Sequence, residues 1–469
     1  MHRRLFIWAA TVYTSRSLGS RSVQPQDSKY WTAYKNGPNG RQTVLLDFSN
    51  VPSERKDFPV LFPTVDTLNH DPETPIEWSF DPGRFTLRTL VPNAAGSQVY
   101  NNYGPKANGE LLMGYGFCVA QNIHDGVLET LKPPPIPLQH LLRRSHPGYF
   151  KIDGSWNSEA ATFHLRAPPP TISSSPSDIW TSIPDPLIEL FYYITRLERG
   201  LDVEPIDPSS LDSSSKFRTN DDKVHDFLFS GPGQAYLPRI AFAIVTSLVP
   251  KMTRLETATT ELPFPEPQNR NQRNAQIYRD GQMRIMTAIR EGLAAFNRSL
   301  RPPHNLSSFN GSAIWTLDEV LHILGEENQA AKKSFVKGIG ISEAQDLSTV
   351  GTDAEQRLWV LLVCYLTLLS ASSSESGTSL SAKWQRAWRE EYGEWTIGTD
   401  EEEEDDASPF LHTVGSAAEN CGPDSVWSSE HWNSAFVLDW GMRIVSSQGM
   451  MMRIAGDKVR YVVYLHVEP

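Results

Sequence analysis

Two short stretches hold the side chains whose types and spacing could do chemistry. The first is Asp66-Thr67-Leu68-Asn69-His70. The second runs Asn101-Asn102-Tyr103-Gly104-Pro105-Lys106-Ala107-Asn108-Gly109-Glu110-Leu111-Leu112-Met113-Gly114-Tyr115-Gly116-Phe117. Their amides, imidazole and phenols are hydrogen-bonding groups rather than a metal-ligand set. Taken singly, each has an ordinary structural reading. Tyr103 and Tyr115 read as strand-end core residues, His70 as a turn histidine on a carbonyl, and Asn69 as a turn residue. Arg16 reads as a solvated helix end and Trp78 as a buried strand tryptophan. Only the joint pattern points further. Other chemistries fall away: Cys118, Cys364 and Cys421 stand too far apart for a zinc site or a disulfide framework. Gly338-Ile339-Gly340 follows a helical pattern and Gly231-Pro232-Gly233 is a helix-leading turn, so neither reads as a nucleotide loop.

Over the seventeen residues of the second stretch the chain resembles the SET family of protein-lysine methyltransferases. The branch it resembles includes the plant Rubisco large-subunit methyltransferase and fungal ribosomal-protein and elongation-factor methyltransferases. That branch carries an Asn-His pair, then Tyr-Gly-x-Lys-x-Asn-x-Glu-Leu-Leu ending in Tyr-Gly-Phe. Phe6-Ile7-Trp8-Ala9-Ala10 with Ser15-Arg16-Ser17 is similar to the Trp-Ala helix and Ser-Arg element that precede the Asn-His pair. The resemblance implies S-adenosyl-L-methionine as cofactor and a protein lysine as substrate. It implies that Tyr103 is the essential phenol beside the transferring methyl. Tyr115 would line the lysine channel and help set how many methyl groups fit. Asn69 and His70 would hold polar groups of the cofactor, Arg16 its carboxylate, and Phe117 would pack near its adenine. Trp78 sits where the family often has an aromatic near the target lysine. A lysine must lose its proton before it attacks, its ordinary pKa is roughly 10.4, and a narrow channel disfavours the charged form. No metal is implied.

The elements that must position these residues follow from the pattern along the chain. Residues 1 to about 20 read as a helix, with Leu5, Ala9, Val12 and Tyr13 expected on one side. Strand-like alternation runs through Phe85, Leu87 and Thr89, and Val127 to Leu131 suggests another strand. Prolines 133–135 and 168–170 with serines 173–177 suggest a connection with possible strands. Beyond residue 178 helical spacing dominates: Leu187–Leu197, Ala235–Leu255, Asn274–Leu300, Leu317–Phe335, Glu355–Ser370, Trp384–Tyr392 and Trp432–Val445, with a terminal strand at Val459–Val467. The expected fold class is α+β: the C-terminal part of a β-rich SET fold over 1–132, a connection over 133–177, and an all-α substrate-recognition domain over 178–469. The acidic run Asp400–Asp406 reads as a solvated loop. Ala275-Gln276-Ile277-Tyr278-Arg279-Asp280-Gly281-Gln282 is the part of the helical region most like fungal members. The family's Gly-x-Gly loop precedes the Trp-Ala helix, where this chain opens. The expectation is therefore either a portion of an active enzyme or a short protein that keeps the helical groove for non-catalytic binding.

The 469 residues carry 43 Lys and Arg against 55 Asp and Glu, a formal net charge of -12. That excludes a general binder of nucleic-acid backbones and suits a basic protein partner. No segment has the ~20 apolar residues needed to cross a bilayer, so no membrane role is expected. Unpaired cysteines suggest a reducing compartment, cytoplasmic or nuclear, and the chain reads as a monomer. The apolar start after Arg3-Arg4 and the sequons at Asn297, Asn305 and Asn310 leave a secreted glycoprotein as a third reading.

Overall fold

Gly116 shows how the second motif folds. Glycine takes most readily the left-handed conformation that ends a helix. In the computed structural model the helix is Asn108–Tyr115, Gly116 has φ 76°, and its N–H donates to the Leu112 carbonyl at 3.1 Å. The structure describes residues 2–19, 30–37, 40–47, 59–61, 64–81, 84–168, 175–198, 226–229, 232–260, 266–303, 311–341, 347, 350–372, 379–393, 408–433, 435–454, 458–465 and 467. Two compact units result: Met1–Gly126 with Glu261–Arg284, and Val127–Thr260 with Ile285–Pro469.

The first unit is built from short strand pairs. Ser17–Gly19 runs antiparallel to Pro59–Leu61, and Tyr30–Gly37 antiparallel to Gly40–Asp47. Ile76–Asp81 pairs antiparallel with Arg84–Thr89, with Trp78 opposite Leu87 and Glu77 opposite Arg88. Because successive side chains alternate across a strand, Trp78 and Leu87 share a half-buried face. Glu77 and Arg88 form an ion pair on the exposed one. The pair Asn69–His70 and Tyr100–Asn101 is parallel, which requires the long crossover that the Ile76–Thr89 hairpin supplies. Helix His2–Arg16 departs from the sequence reading. Leu5, Ala9 and Tyr13 are exposed and only Val12 is half-buried. The apolar residues Leu5 to Ala10 are consecutive, so they spread around the helix instead of forming one stripe.

The second unit carries the larger core. Helix Thr352–Ser372 is apolar on all sides, and residues 359–366 are all buried within it. Trp427 and Trp432 stack 5.2 Å apart beside Phe335. Gly338 lies against Trp427 so closely that a Cβ would stand 2.3 Å from its indole nitrogen. Packing therefore accounts for the first glycine of Gly338-Ile339-Gly340. The expected terminal strand is present as Val459–Leu465, and it is the middle strand of a three-stranded antiparallel sheet whose other two strands, Ala313–Trp315 and Gly449–Arg453, lie in the region read as all helix. Those two are short or carry adjacent apolar residues, so no period-two alternation announces them. Leu317–Phe335 is two helices, Leu317–Glu327 and Gln329–Gly338. Asn328 ends the first and caps the second by accepting the Ala331 N–H at 2.9 Å. The proline-rich stretch forms helix Ile136–Ser145, which buries Leu138, Leu141 and Leu142 at helical spacing, and strand Thr162–Arg166, paired with Gly126–Thr130. The acidic run 400–406 lies outside the described residues.

Candidate functional site

The two motifs meet through backbone first. His70 is paired with Asn101, and the Asp71 N–H donates to the Asn101 carbonyl at 3.0 Å. Asn102 then turns the chain: its side-chain amide donates to the Pro72 carbonyl at 3.0 Å and accepts the Gly104 N–H at 2.9 Å. Gly104 has φ 94°, a left-handed conformation that favours glycine. Tyr103 sits inside this turn and is held at both ends. Its N–H donates to His70 Nδ1 at 3.0 Å, and its hydroxyl donates to the Leu68 carbonyl at 2.7 Å. An accepting Nδ1 places the imidazole proton on Nε2.

Around this point lies an aromatic cluster. The His70 ring stacks on Tyr103 at 5.0 Å, Tyr115 lies 5.0 Å from Tyr103, and Phe117 stands 6.2 Å from His70. Lys106 holds its ammonium 5.9 Å above the Tyr115 ring while pairing with Glu110. A cavity of about 650 Å³ opens beside Tyr103 and Tyr115, with Ser15, Arg16, Asp66 and Trp78 among its walls. Burial pushes the Tyr103 phenol above its ordinary pKa, against the pull of Arg16, so the phenol keeps its proton near neutrality. Burial lowers His70 and favours its neutral ring. Burial raises Asp66, with Arg16 acting in the opposite direction.

Comparison with known proteins gives this arrangement a context. The chain is 36% identical over 139 residues to the ribosomal lysine N-methyltransferase set10 of Schizosaccharomyces pombe. It is 41% identical over 75 residues to the ribosomal lysine N-methyltransferase 1 of Saccharomyces cerevisiae. It is 28% identical over 141 residues to the protein-lysine N-methyltransferase EFM1 of the same yeast. The chain is related to the protein-lysine methyltransferases. These matches cover 28%, 16% and 29% of this chain and 20%, 13% and 22% of the relatives, so the chain spans between about an eighth and about a fifth of the length of the curated relatives it matches. No family model matches it.

Of the residues that the methyltransferase resemblance singled out, Arg16, Trp78, Tyr103 and Tyr115 line the cavity. His70 lies behind Tyr103, and Phe117 lies against both His70 and Tyr115. Asn69 is the outlier: its backbone pairs with Tyr100, but its side chain is exposed and does not line the cavity. Reading the sequence overlooked the residues that hold the motif in place. Asn108 is buried at the start of the Tyr115 helix, and its amide joins the Val119 backbone at both ends, at 2.8 and 3.0 Å. Asp125 is 1% exposed and accepts the Asn108 N–H at 2.9 Å, the Asn108 amide at 2.9 Å and the Gly126 N–H at 3.0 Å. A carboxylate at a helix N-terminus meets both unpaired N–H groups and the positive end of the dipole. His124 also lines the cavity and was missed. One signal was available for Asn108: it is the fixed asparagine of the Tyr-Gly-x-Lys-x-Asn-x-Glu-Leu-Leu pattern, to which the sequence reading gave no role.

Proposed function

We propose that this chain carries the methyl-transfer site of a SET-type protein-lysine N-methyltransferase. In this reading the strand-rich unit is the C-terminal part of the SET fold. The helical unit recognises a folded protein substrate, and we take a ribosomal protein as its class, since two of the relatives are named ribosomal lysine N-methyltransferases. The observation that carries the reading is the Tyr103 hydroxyl on the Leu68 carbonyl, next to Asn69-His70, with Tyr115 against the same ring at the cavity wall.

The residues suit S-adenosyl-L-methionine. Among the described residues, the buried polar atoms without a partner include two beside Tyr103, His70 Nε2 and Asn101 Oδ1, a donor and an acceptor for a ligand's polar groups. Arg16 offers the cavity a cation for a carboxylate, and Tyr103, Tyr115 and Trp78 offer it aromatic walls, with His70 and Phe117 packed behind them. When bound, the cofactor supplies an electrophilic methyl on sulfonium. The chain's own part is positioning and electrostatics. Tyr103, protonated and anchored, gives the chamber a fixed phenol oxygen. Tyr115 and Trp78 form walls that strip water from the target lysine and favour its neutral amine. Asn69, with its side chain outside, contributes through its backbone at the cofactor end.

The test uses the full-length protein with labelled S-adenosyl-L-methionine and ribosomes. The wild type binds the cofactor and labels a ribosomal protein on lysine. Tyr103→Phe keeps cofactor affinity within about threefold and loses at least about a hundredfold in transfer rate, the scale of removing one preorganised polar group. Absence of both binding and labelling in the wild type refutes the reading and leaves a non-catalytic protein-interaction module. Full activity in Tyr103→Phe refutes the role of the phenol.

A further inference from the structure

The wall that faces Tyr103 is held by a part of the chain far along in sequence. Helix Arg270–Ser299 presents Asn274, Tyr278, Gly281 and Gln282 on one face, since positions four and seven or eight apart fall together on a helix. Each meets the stretch that begins and ends the Tyr115 helix. Asn274 donates from Nδ2 to the Gly116 carbonyl at 3.1 Å and accepts the Cys118 N–H at Oδ1, at 3.3 Å. The Tyr278 ring lies where a Cβ on Gly109 would stand 3.5 Å from it. Gly281 leaves room for Asp125, whose Oδ2 would be 2.7 Å from an added Cβ. Gln282 donates to the Gly126 carbonyl at 2.8 Å. Asn274, Gly281 and Gln282 are buried. A helix end has carbonyls with no partner inside the helix. Here one of the groups just past that end, the Gly116 carbonyl, is bound by a side chain rather than by water.

Resting on the methyl-transfer reading above, we infer that Asn274 is a positioning residue for the chamber: by bridging Gly116 and Cys118 it fixes Tyr115 against Tyr103 and so limits how many methyl groups the lysine can carry. Asn274 touches no reacting group. It acts on the one residue that both leads out of the Tyr115 helix and leads into Phe117. An amide is the side chain that suits this place, because it must donate to a carbonyl and accept from an N–H at once. Aspartate can do only the second, and alanine neither. With the bridge gone, Gly116 and Cys118 are free to take water, the helix end loosens, and Tyr115 retreats from the chamber.

The test compares wild type, Asn274→Ala, Asn274→Asp and Asn297→Ala in the full-length protein. Asn297 is a buried asparagine of the other unit whose amide donates to the Pro238 carbonyl at 3.1 Å, and it serves as a control for general loss of stability. Asn274→Ala is expected to lower kcat about tenfold, with KM for the cofactor within about twofold. Mass spectrometry of the product should shift towards more highly methylated lysine. Asn274→Asp should fall in between, and Asn297→Ala should leave the product distribution unchanged. The ring contact between Tyr103 and Tyr115 is read separately by nuclear Overhauser effects, and it should weaken in Asn274→Ala alone. An unchanged ring contact in Asn274→Ala overturns the inference whether or not the wild type transfers methyl groups. An unchanged product distribution beside an active wild type overturns it too. An inactive wild type refutes the functional reading instead, and with it any role for Asn274 in catalysis.

Discussion

Replacing Asp125 by alanine should destabilise the first unit by about 3–4 kcal/mol. The carboxylate accepts three hydrogen bonds, from the Asn108 N–H, the Asn108 side-chain amide and the Gly126 N–H. Of these donors only the side-chain amide has a second partner, the Val119 carbonyl at 3.0 Å. Two buried backbone N–H groups are therefore left bare, each costing roughly 1–3 kcal/mol. A water entering the small hole would return part of that, which places the expectation near the middle of the range. Asp125→Asn keeps the shape but can turn only one oxygen towards these donors. With that oxygen on the two backbone N–H groups, its NH2 faces the Asn108 NH2 and one bond is lost, for about 1–2 kcal/mol. The same geometry predicts coupling with Gly281, where an added Cβ would press on Asp125 Oδ2 at 2.7 Å. Gly281→Ala should therefore be costly in the wild type and cheaper by about 1 kcal/mol or more in the Asp125→Ala background. Urea unfolding gives the free energies, and hydrogen exchange of the peptide spanning 104–118 assigns them to this unit. An Asp125→Ala protein within about 0.5 kcal/mol of wild type would refute the anchoring argument, as would additivity of the two substitutions.

Two further expectations concern charge. His70 has its pKa lowered by burial, so the unfolded chain takes up a proton first on acidification. Its contribution is fully present above the ordinary histidine value and is lost as pH falls through and below it towards the folded pKa. His146 is raised, chiefly by its hydrogen bond to Glu189. Its contribution is full below the ordinary value and is lost as pH rises through the folded pKa. NMR titration of the two imidazoles should place His70 below and His146 above a histidine in a short peptide; the reverse order would contradict both assignments. In the second unit, Arg460 binds the buried Glu355 at 2.6 and 2.9 Å while the Tyr461 N–H donates to the same carboxylate at 2.8 Å. Arg460→Met strands that carboxylate and should cost about 3–5 kcal/mol in urea unfolding. Adding Glu355→Gln, which keeps an acceptor for Tyr461, should restore most of the loss. A double variant no more stable than the single one would show that the charge itself is not the source.

The grouping of the residues proposed to carry chemistry was legible because their identities and intervals are local. Tyr103, Tyr115 and Phe117 fall in one stretch, and Gly104 and Gly116 stand where left-handed backbone is needed. The resemblance to lysine methyltransferases was read from the same residues. The long helices were legible, Arg270–Ser299 from its period and Thr352–Ser372 from its apolar run. What escaped depends on partners distant in sequence. Asp125 reads as an ordinary turn aspartate until Asn108 is beside it, and Asn274 as a polar helix residue until Gly116 is. The break at Asn328 was hidden because apolar spacing continues through it while the capping asparagine looks like any helix-surface residue. The exposed side chain of Asn69 was equally invisible, since a two-residue strand gives no periodicity from which to choose a face.

The bond from Asn274 to Gly116 joins residues 158 positions apart, and this has a consequence for the order in which the protein matures. A growing polypeptide emerges at about 5–20 residues per second. Tyr103 and Tyr115 thus leave the ribosome roughly ten to thirty seconds before the helix that braces them. During that interval the motif helix has its own glycine stop and the Asp125 cap, but no outside support for its last carbonyl. A translation product released before residue 270 would contain every residue of the chamber and still lack the brace. Such a fragment should bind chaperones and be cleaved by proteases near Tyr115, and adding the missing helix as a separate peptide should protect it.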